Sequence, residues 1–400
     1  MRPTTSLRGR PQAETEAIAR ALMRPLGLSA LTDITHRDRL GLPVFVSTRR
    51  GAGPMARHAG KGLAPADARV GALMEGVEHA VAERASAAGP DARLRLHELV
   101  AQWPAGLQLR DFAPRLGVVA DPAQPVMAAR CENLMDPRRR AVLLPAELVL
   151  VPCPPGDGPA LFGWSSNGLA SGNTLEEATL HALLEVLERD AIAMNAARGT
   201  ATAVDIEELP PALRRRALAW RALGVHLILR HLPGDIGLPC FEATLHESGH
   251  VRVALARGWG IHLRRDIALA RAVSEAAQSR LCMLVRSGGP GPKARSDDAA
   301  ARQRVLARLA ETTARQPLAE LPHHPARSIG RSLRWLLARL DERGLGPVFR
   351  RRMQLPGGRP DLQGLHVVKL VVPRCETVLG PHPRMGPRLL AQVLGRADGA

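Results

Sequence analysis

Tyrosine is absent from this 400-residue chain, and phenylalanine and tryptophan bring the aromatic share to only 2%. Proteins that grip single-stranded nucleic acid stack bases on aromatic rings beside a basic stripe. The net charge of +17 is therefore not by itself read as a nucleic-acid surface, the more so because arginine is spread along the whole chain. A basic surface of this kind also suits an anionic ligand or an acidic peptide. No run of about 18 uncharged apolar residues occurs, which excludes the usual membrane helix. The N-terminus MRPTTSLRGRPQAETEA lacks the apolar stretch of a secretory signal. The five cysteines are scattered without a C-x-x-C pair or zinc-like histidine spacing, so a reduced cytoplasm is the expected setting. Phosphate-binding loops are missing as well. In HAGKGL, Lys61 is followed by Gly62 where a Walker A loop needs Ser or Thr, and Met55 stands where it needs glycine.

Apolar residues make up 45% of the chain, enough for a large core, and 400 residues suit one big domain or two ordinary ones. Residues 1–29 read as a basic tail and a helix (13–26), and 30–400 as one catalytic domain. Alternation suggests strands at 31–34 and 44–48, followed by a Gly-rich loop over 51–62. Pro65 then opens a helix at 66–88. Strands are expected at 118–120, 141–151, 225–230, 240–245, 251–256 and 365–372. Helices are expected at 267–285, 299–315, 331–343 and 384–394, with a polar loop, RSGGPGPKARSDD, between the first two.

The stretch SSNGLASGNTLEEATLHALLEVLERDAIAMN, residues 165–195, stands out. A small-residue loop leads into a helix that is apolar almost all round. At about 100° per residue, Glu177, His181, Glu185 and Glu188 fall within roughly 80° of arc. A solvated helix shows the inverse proportions, so this stripe faces a cleft. The pattern echoes elsewhere. ALMEGVEH from Ala72 and ALLEVLER from Ala182 agree at four of eight positions, both glutamates included, and AVSEAAQS from Ala272 keeps the pattern with Gln278 in the second place.

Glu75 with Glu78, Glu185 with Glu188, and Glu275 with Gln278 are each three apart, so their side chains are neighbours on a helix. Taken singly, each pair reads as a solvated face. Recurring in apolar surroundings, the pairs read as hard oxygen ligands for Mg²⁺, which takes one or two carboxylates together with substrate phosphates. Glu177 has two readings, since Thr174 and Glu177 also match a capping box. His181 is read first as a packed histidine. Asn173 stands where it caps the helix or meets a phosphate, and Arg189 and Lys61 are the natural cations for an anion.

At this point the residues resemble the YcaO family. The stretch from Ser165 is similar to its central ATP-site signature, GKGLAPADARVGALMEGVEHAVAE to its first acidic helix, and GWGIHLRRDIALARAVSEAAQSR to its third. TDITHRDRLGLPVFVSTRR and HVVKLVVPRCET also fit, so the likeness spans about 30–395. The Glu78-His79 pair and the D-x-L-G-L-P-V opening look most like the branch paired with TfuA-type proteins.

The resemblance implies an α/β (α+β) fold in which acidic helices converge on one ATP site against mostly antiparallel sheet. It implies ATP and Mg²⁺ as cofactors, and O-phosphorylation of a peptide backbone amide. The product would be a thioamide in a ribosomally made peptide or protein, with a TfuA-like partner, or an azoline. A non-catalytic ATP-binding or basic nucleic-acid-binding scaffold is the rival of another class. Glu75, Glu78, Glu185 and Glu188 would hold Mg²⁺. Arg189 would act with Glu185 and Glu188 in catalysis, while Asn173, Glu177, Glu275, Gln278, Lys61 and Arg280 would contact the nucleotide or metal. A homodimer is left open. Three features depart from the family pattern. The chain ends GRADGA without the Pro-x-Pro-x-Pro tail of many azoline-forming members, which favours thioamide chemistry or a loss of cyclodehydration. VPRCE puts Arg374 and Cys375 in place of Gly-Leu. The polar loop is longer than usual, so Arg295, Asp297 and Asp298 have no assigned place. No leader-binding domain precedes the core, so peptide delivery is expected to need a partner.

Overall fold

The computed structural model describes residues 6–49, 56–247, 253, 255–286, 303–307, 309, 312, 314–326, 328–378 and 384–397, apart from 137, 139 and 157. Residues 287–298 of the long polar loop, with Arg295, Asp297 and Asp298, lie outside them, as does the start of the Gly-rich stretch.

Helices and antiparallel sheets alternate along the chain. Helix α1 (Gln12–Met23) precedes strands β1 (Leu28–Asp33), β2 (Val44–Arg49) and β3 (Arg57–Lys61), which form a three-stranded sheet under α2 (Pro65–Ser86). Next come β4 (Ala92–Arg95), α3 (Leu96–Val100), β5 (Pro125–Asn133), β6 (Ala141–Pro145), β7 (Leu169–Gly172) and α4 (Leu175–Arg198). Strand β8 (Thr202–Val204), α5 (Pro211–Ala222), β9 (Val225–His231), β10 (Cys240–Glu247), β11 (Leu255–Ile261) and α6 (Arg265–Arg286) follow, then α7 (Ile329–Glu342), β12 (Phe349–Arg352), β13 (His366–Val371) and α8 (Pro387–Ala397). A four-stranded sheet runs β11-β10-β9-β8, and a six-stranded one runs β4-β5-β12-β13-β7 with β6 beside β5. The strand pairs are antiparallel, as the fold class requires.

Each long acidic helix follows a strand of a different sheet. The joint is the same each time: α2 lies on β3, α4 on β7, and α6 on β11. Glycine makes that contact close. A Cβ on Gly60 would overlap the backbone of Ala68 and Ala72, and one on Gly258 would overlap Ala272 and Ala276. These glycines serve a close approach rather than a turn. For that reason the Gly-rich stretch expected as a loop ends in a strand, and GWG, also expected as loop, lies within β11. The hairpin partner of β10 accordingly runs over Leu255–Ile261 rather than 251–256.

Helix α4 is the central element. Leu180, Leu183, Leu184 and Leu187 are buried among side chains from β13, α7 and β11. Thr174 caps its start by accepting from Glu177 N at 3.1 Å, and Gly199 closes it in the left-handed region. Residues 118–120 form no strand, since only Arg115 makes a bridge there, to Arg384. Residues 6–11, expected as loose, lie against α4: Gly9 N donates to Glu177 at 2.8 Å, and Leu7 packs on the α4 core.

Candidate active site

The three strand–helix units turn their acidic faces towards one cavity of about 490 Å³. Glu75 and Glu78 come from α2, Glu185, Glu188 and Arg189 from α4, and Glu275 and Gln278 from α6, with Lys61 at the end of β3. Three sheets therefore bring together eight of the residues singled out in the sequence.

Local contacts aim these side chains. Glu78 Oε2 accepts from Ser171 N at 2.8 Å, and Glu188 Oε2 accepts from Ile261 N at 3.0 Å. Lys61 Nζ donates to Glu275 Oε2 at 2.7 Å, and Gln278 donates to the carbonyl of Ala59. Arg189 stands 3.7 Å from Glu185.

Burial among like charges leaves the carboxylates short of positive charge. Burial first, then Glu185 and Glu275, pushes Glu75 up to about 7, with Lys61 opposing. Burial together with Glu275 takes Glu188 to about 7. Glu78 is driven well above the carboxylate range by burial, Glu185 and Glu75. Glu185 is raised by burial against the pull of Arg189, Lys369 and Arg271. Glu275 alone goes down: burial raises it, but Lys61, Arg189 and Arg271 together outweigh that burial. The site calls for cations.

Hard carboxylate oxygens of this number fit Mg²⁺. They ring the cavity rather than closing on one point, which suits an ion shared with phosphates and water. Among the described residues, three ligand atoms mutually within 4.8 Å occur at His58, Glu75 and His79. That trio is a poor metal site. His58 Nε2 accepts from Arg49 Nε at 3.1 Å, which leaves the ring proton on Nδ1, and the two rings stack at 4.9 Å.

Three expected contacts are placed elsewhere. Asn173 and Glu177 do not line the cavity. Asn173 Oδ1 accepts from Thr15 Oγ1 at 2.8 Å, its Nδ2 donates to Glu177 Oε1 at 2.9 Å, and Glu177 holds Gly9 N. Only half of the capping box forms, since the Glu177 carboxylate turns to Gly9 and Asn173 rather than to the Thr174 amide. Arg280 does not line the cavity either. It lies buried 3.1 Å from Asp38 and 2.7 Å from Glu247, where it acts as a structural cation.

Two further residues at the cavity, Arg271 and Arg8, were not singled out in the sequence, whereas His181 was. Arg271 lines it one turn before Glu275 on α6, and that i, i+4 spacing was a readable signal. Arg8 reaches it from the N-terminal segment, and no pattern pointed there. His181 packs at the wall, 3.4 Å from the Ser171 carbonyl, and burial takes it down to about 4.

Comparison with known proteins decides the family. Residues 59–376 match the family described as YcaO cyclodehydratase, ATP- and Mg²⁺-binding. The chain belongs to the YcaO family. An uncharacterized protein of Methanothermobacter thermautotrophicus is 32% identical over 379 residues, covering 92% of this chain and 94% of that one. An uncharacterized protein in the tfuA 3′ region of Rhizobium leguminosarum bv. trifolii is 30% identical over 400 residues, covering 96% and 92%. The structure of YcaO from Methanopyrus kandleri bound with AMPPCP and Mg²⁺ superposes with a TM-score of 0.69 at 24% identity, covering 96% of this chain and 99% of that one. A heterocyclase in complex with substrate and cofactor gives 0.76 at 23% identity over 96% of this chain, which spans 54% of the heterocyclase's length. At these identities the two structures establish the fold. YcaO proteins form a family of ATP-dependent peptide-modifying enzymes, and the ATP and Mg²⁺ expected from the sequence are the ligands in the family's description. Among the described residues no helix is long and apolar enough to cross a membrane.

Proposed function

We propose that this YcaO protein uses Mg-ATP to activate a peptide backbone amide and that the product is a thioamide, formed with a TfuA-like partner. The observation that carries the reading is the 490 Å³ cavity in which carboxylates from three helices, those of α2 and α4 held at raised pKa, face Lys61, Arg189 and Arg271. Such a cavity offers positions for a metal and cations for phosphates, and no residue in it need act as a nucleophile. That division suits phosphoryl transfer, where positioning and charge neutralisation supply most of the rate.

In the proposed reaction the amide oxygen attacks the γ-phosphorus and ADP leaves. Hydrosulfide then adds to the activated carbon, phosphate departs with the original oxygen, and loss of a proton leaves the thioamide. Mg²⁺, when bound, supplies charge neutralisation at the phosphates. Glu75, Glu78, Glu185 and Glu188 are the residues to hold it, and Glu78 and Glu188 are already oriented by the amides of Ser171 and Ile261. Arg189, Arg271 and Lys61 would steady the phosphates. Asn173 and Glu177 would reach the nucleotide only by releasing Gly9 and Thr15.

The relative from the tfuA 3′ region supports the sulfur nucleophile. Azoline formation, in which a substrate Cys, Ser or Thr attacks instead, is the second reading, favoured by the cyclodehydratase in the family's description. Mass spectrometry of a co-produced peptide separates the two, since one reaction exchanges oxygen for sulfur and the other removes a water. ATP turnover by Glu188→Gln with Mg²⁺ and peptide tests the common step. Turnover equal to the parent's would remove the metal-ligand assignment.

A further inference from the structure

The loop before β7 has two sides. Ser166 lines the large acidic cavity, whereas Ser165 and Asn167 line a second one of about 40 Å³. Lys369 from β13 and Arg384 also face this smaller space. Lys369 is 2% exposed, and its Nζ donates to the carbonyls of Ser165 (2.8 Å) and Asn167. Arg384 donates to the carbonyls of Ala113 (2.7 Å) and Phe112 (2.5 Å), with its guanidinium over the Phe162 ring.

Two cations thus share a small, partly open space, Lys369 buried and Arg384 half-buried, and among the described residues neither has a carboxylate partner within 4.0 Å. The single acid on the wall, Glu147, is already committed: it accepts from the amides of Leu161 (3.0 Å), Phe162 (2.9 Å) and Gly163 (2.5 Å). Buried charges are normally paired, because removing them from water is costly. Burial lowers Lys369 to about 7, with Glu185 pulling it back and Arg384 pushing it further down, and burial lowers Arg384 to about 10 against the pull of Glu147 and Glu376. Asn167 adds a further sign. Its Oδ1 is buried without a partner, and a half-turn of the amide brings N–H donors to that point. A cavity needs only about 10–15 Å³ to hold a water, so this one accepts a few atoms and no more.

We propose that the space between Lys369 and Arg384 is a binding site for a small monoanion, and that this ion is hydrosulfide, held one loop away from the amide it attacks. The identity of the ion rests on the thioamide reading above; the existence of the site rests on the cavity alone.

Bromide is the probe. Crystals of the full chain soaked in sodium bromide should show one anomalous peak between Lys369 Nζ and Arg384, and halide confined to the outer surface would overturn the site. In solution, bromide should raise the melting temperature saturably compared with sodium sulfate at equal ionic strength. Lys369→Met and Arg384→Met should each weaken that effect about tenfold, as expected for one charge-assisted contact. The crystal result with the parent decides the matter if either variant fails to fold. Hydrosulfide should displace bromide, and Lys369→Met should raise the KM for hydrosulfide far more than that for ATP. Bromide that binds but is not displaced overturns hydrosulfide as the ion. Displacement without thioamide from any peptide leaves the site standing and overturns the thioamide reading.

Discussion

The two cavities flanking the loop at 165–168 are opposites in charge and in how charge is stored. The large one gathers carboxylates from three helices and holds those of α2 and α4 at raised pKa, while the small one confines Lys369 and Arg384 and lowers both. Each carries more charge of one sign than its neighbours offset, although Lys61 and Arg189 face the carboxylates and Glu185, Glu147 and Glu376 act on the two cations. A protein selected for stability alone would have placed the two sets in contact. Keeping them apart leaves each free to receive a ligand of opposite sign, and the loop between them turns the carbonyls of Ser165 and Asn167 to Lys369.

The comparison breaks first at Glu188. Glu188→Gln keeps shape and hydrogen bonding but removes a charge, so ATP turnover should fall about 10²–10³-fold, as when one preorganised electrostatic contact is lost. Bromide stabilisation through the small cavity should persist. Loss of both would mean that the two cavities are not separate.

Gly60→Ala should cost at least about 3 kcal/mol of stability in a denaturant titration, because a Cβ there meets helix backbone rather than a mobile side chain. The displaced element is α2, so Mg²⁺ stabilisation should fall while the bromide effect is retained.

The pH dependence should show both halves at once. Glu75 and Glu188 rise from 4.5 to about 7 on folding, so the folded chain binds their protons more tightly and stability falls as pH climbs through that window. Lys369 drops from 10.5 to about 7, so the folded chain holds its proton less tightly and stability rises above pH 7. The buried histidines His79, His181, His231 and His262, lowered to about 3–4, add the opposite slope below pH 6.5, so the two halves are read as differences. The melting temperature of the parent minus that of Glu188→Gln should fall between pH 4.5 and 7, and that of the parent minus that of Lys369→Met should rise between pH 7 and 10.5. Differences that do not change with pH would contradict the pairing. The smallest effect is expected at Thr174→Ala, about 1 kcal/mol from loss of the α4 cap, with no preference for either cavity in ligand-induced melting shifts.

The acidic half was legible in the sequence because helix periodicity is local. Glu75 with Glu78 and Glu185 with Glu188 announce a shared face from spacing alone. Arg271, one turn from Glu275, was equally readable but lacked a partner to draw notice. The basic half was not legible, since Lys369 and Arg384 lie on separate segments and only the third dimension sets them around one void. Lone cations in an arginine-rich chain carry no signal. Strand β3 was hidden for another reason: its glycine serves contact with α2, and composition does not distinguish that use from a turn. Arg280 misled because its place after Gln278 suggested the cavity, while the helix turns it towards Asp38 and Glu247.

The three strand–helix units each belong to a different sheet, so the carboxylate cavity draws on all three sheets at once. Mg-nucleotide bound there would act as a rivet. By mass action it stabilises only the assembled arrangement, and slow hydrogen exchange should therefore spread at once to the amides of β3, β7 and β11, although no pair of these strands shares a hydrogen-bonded edge.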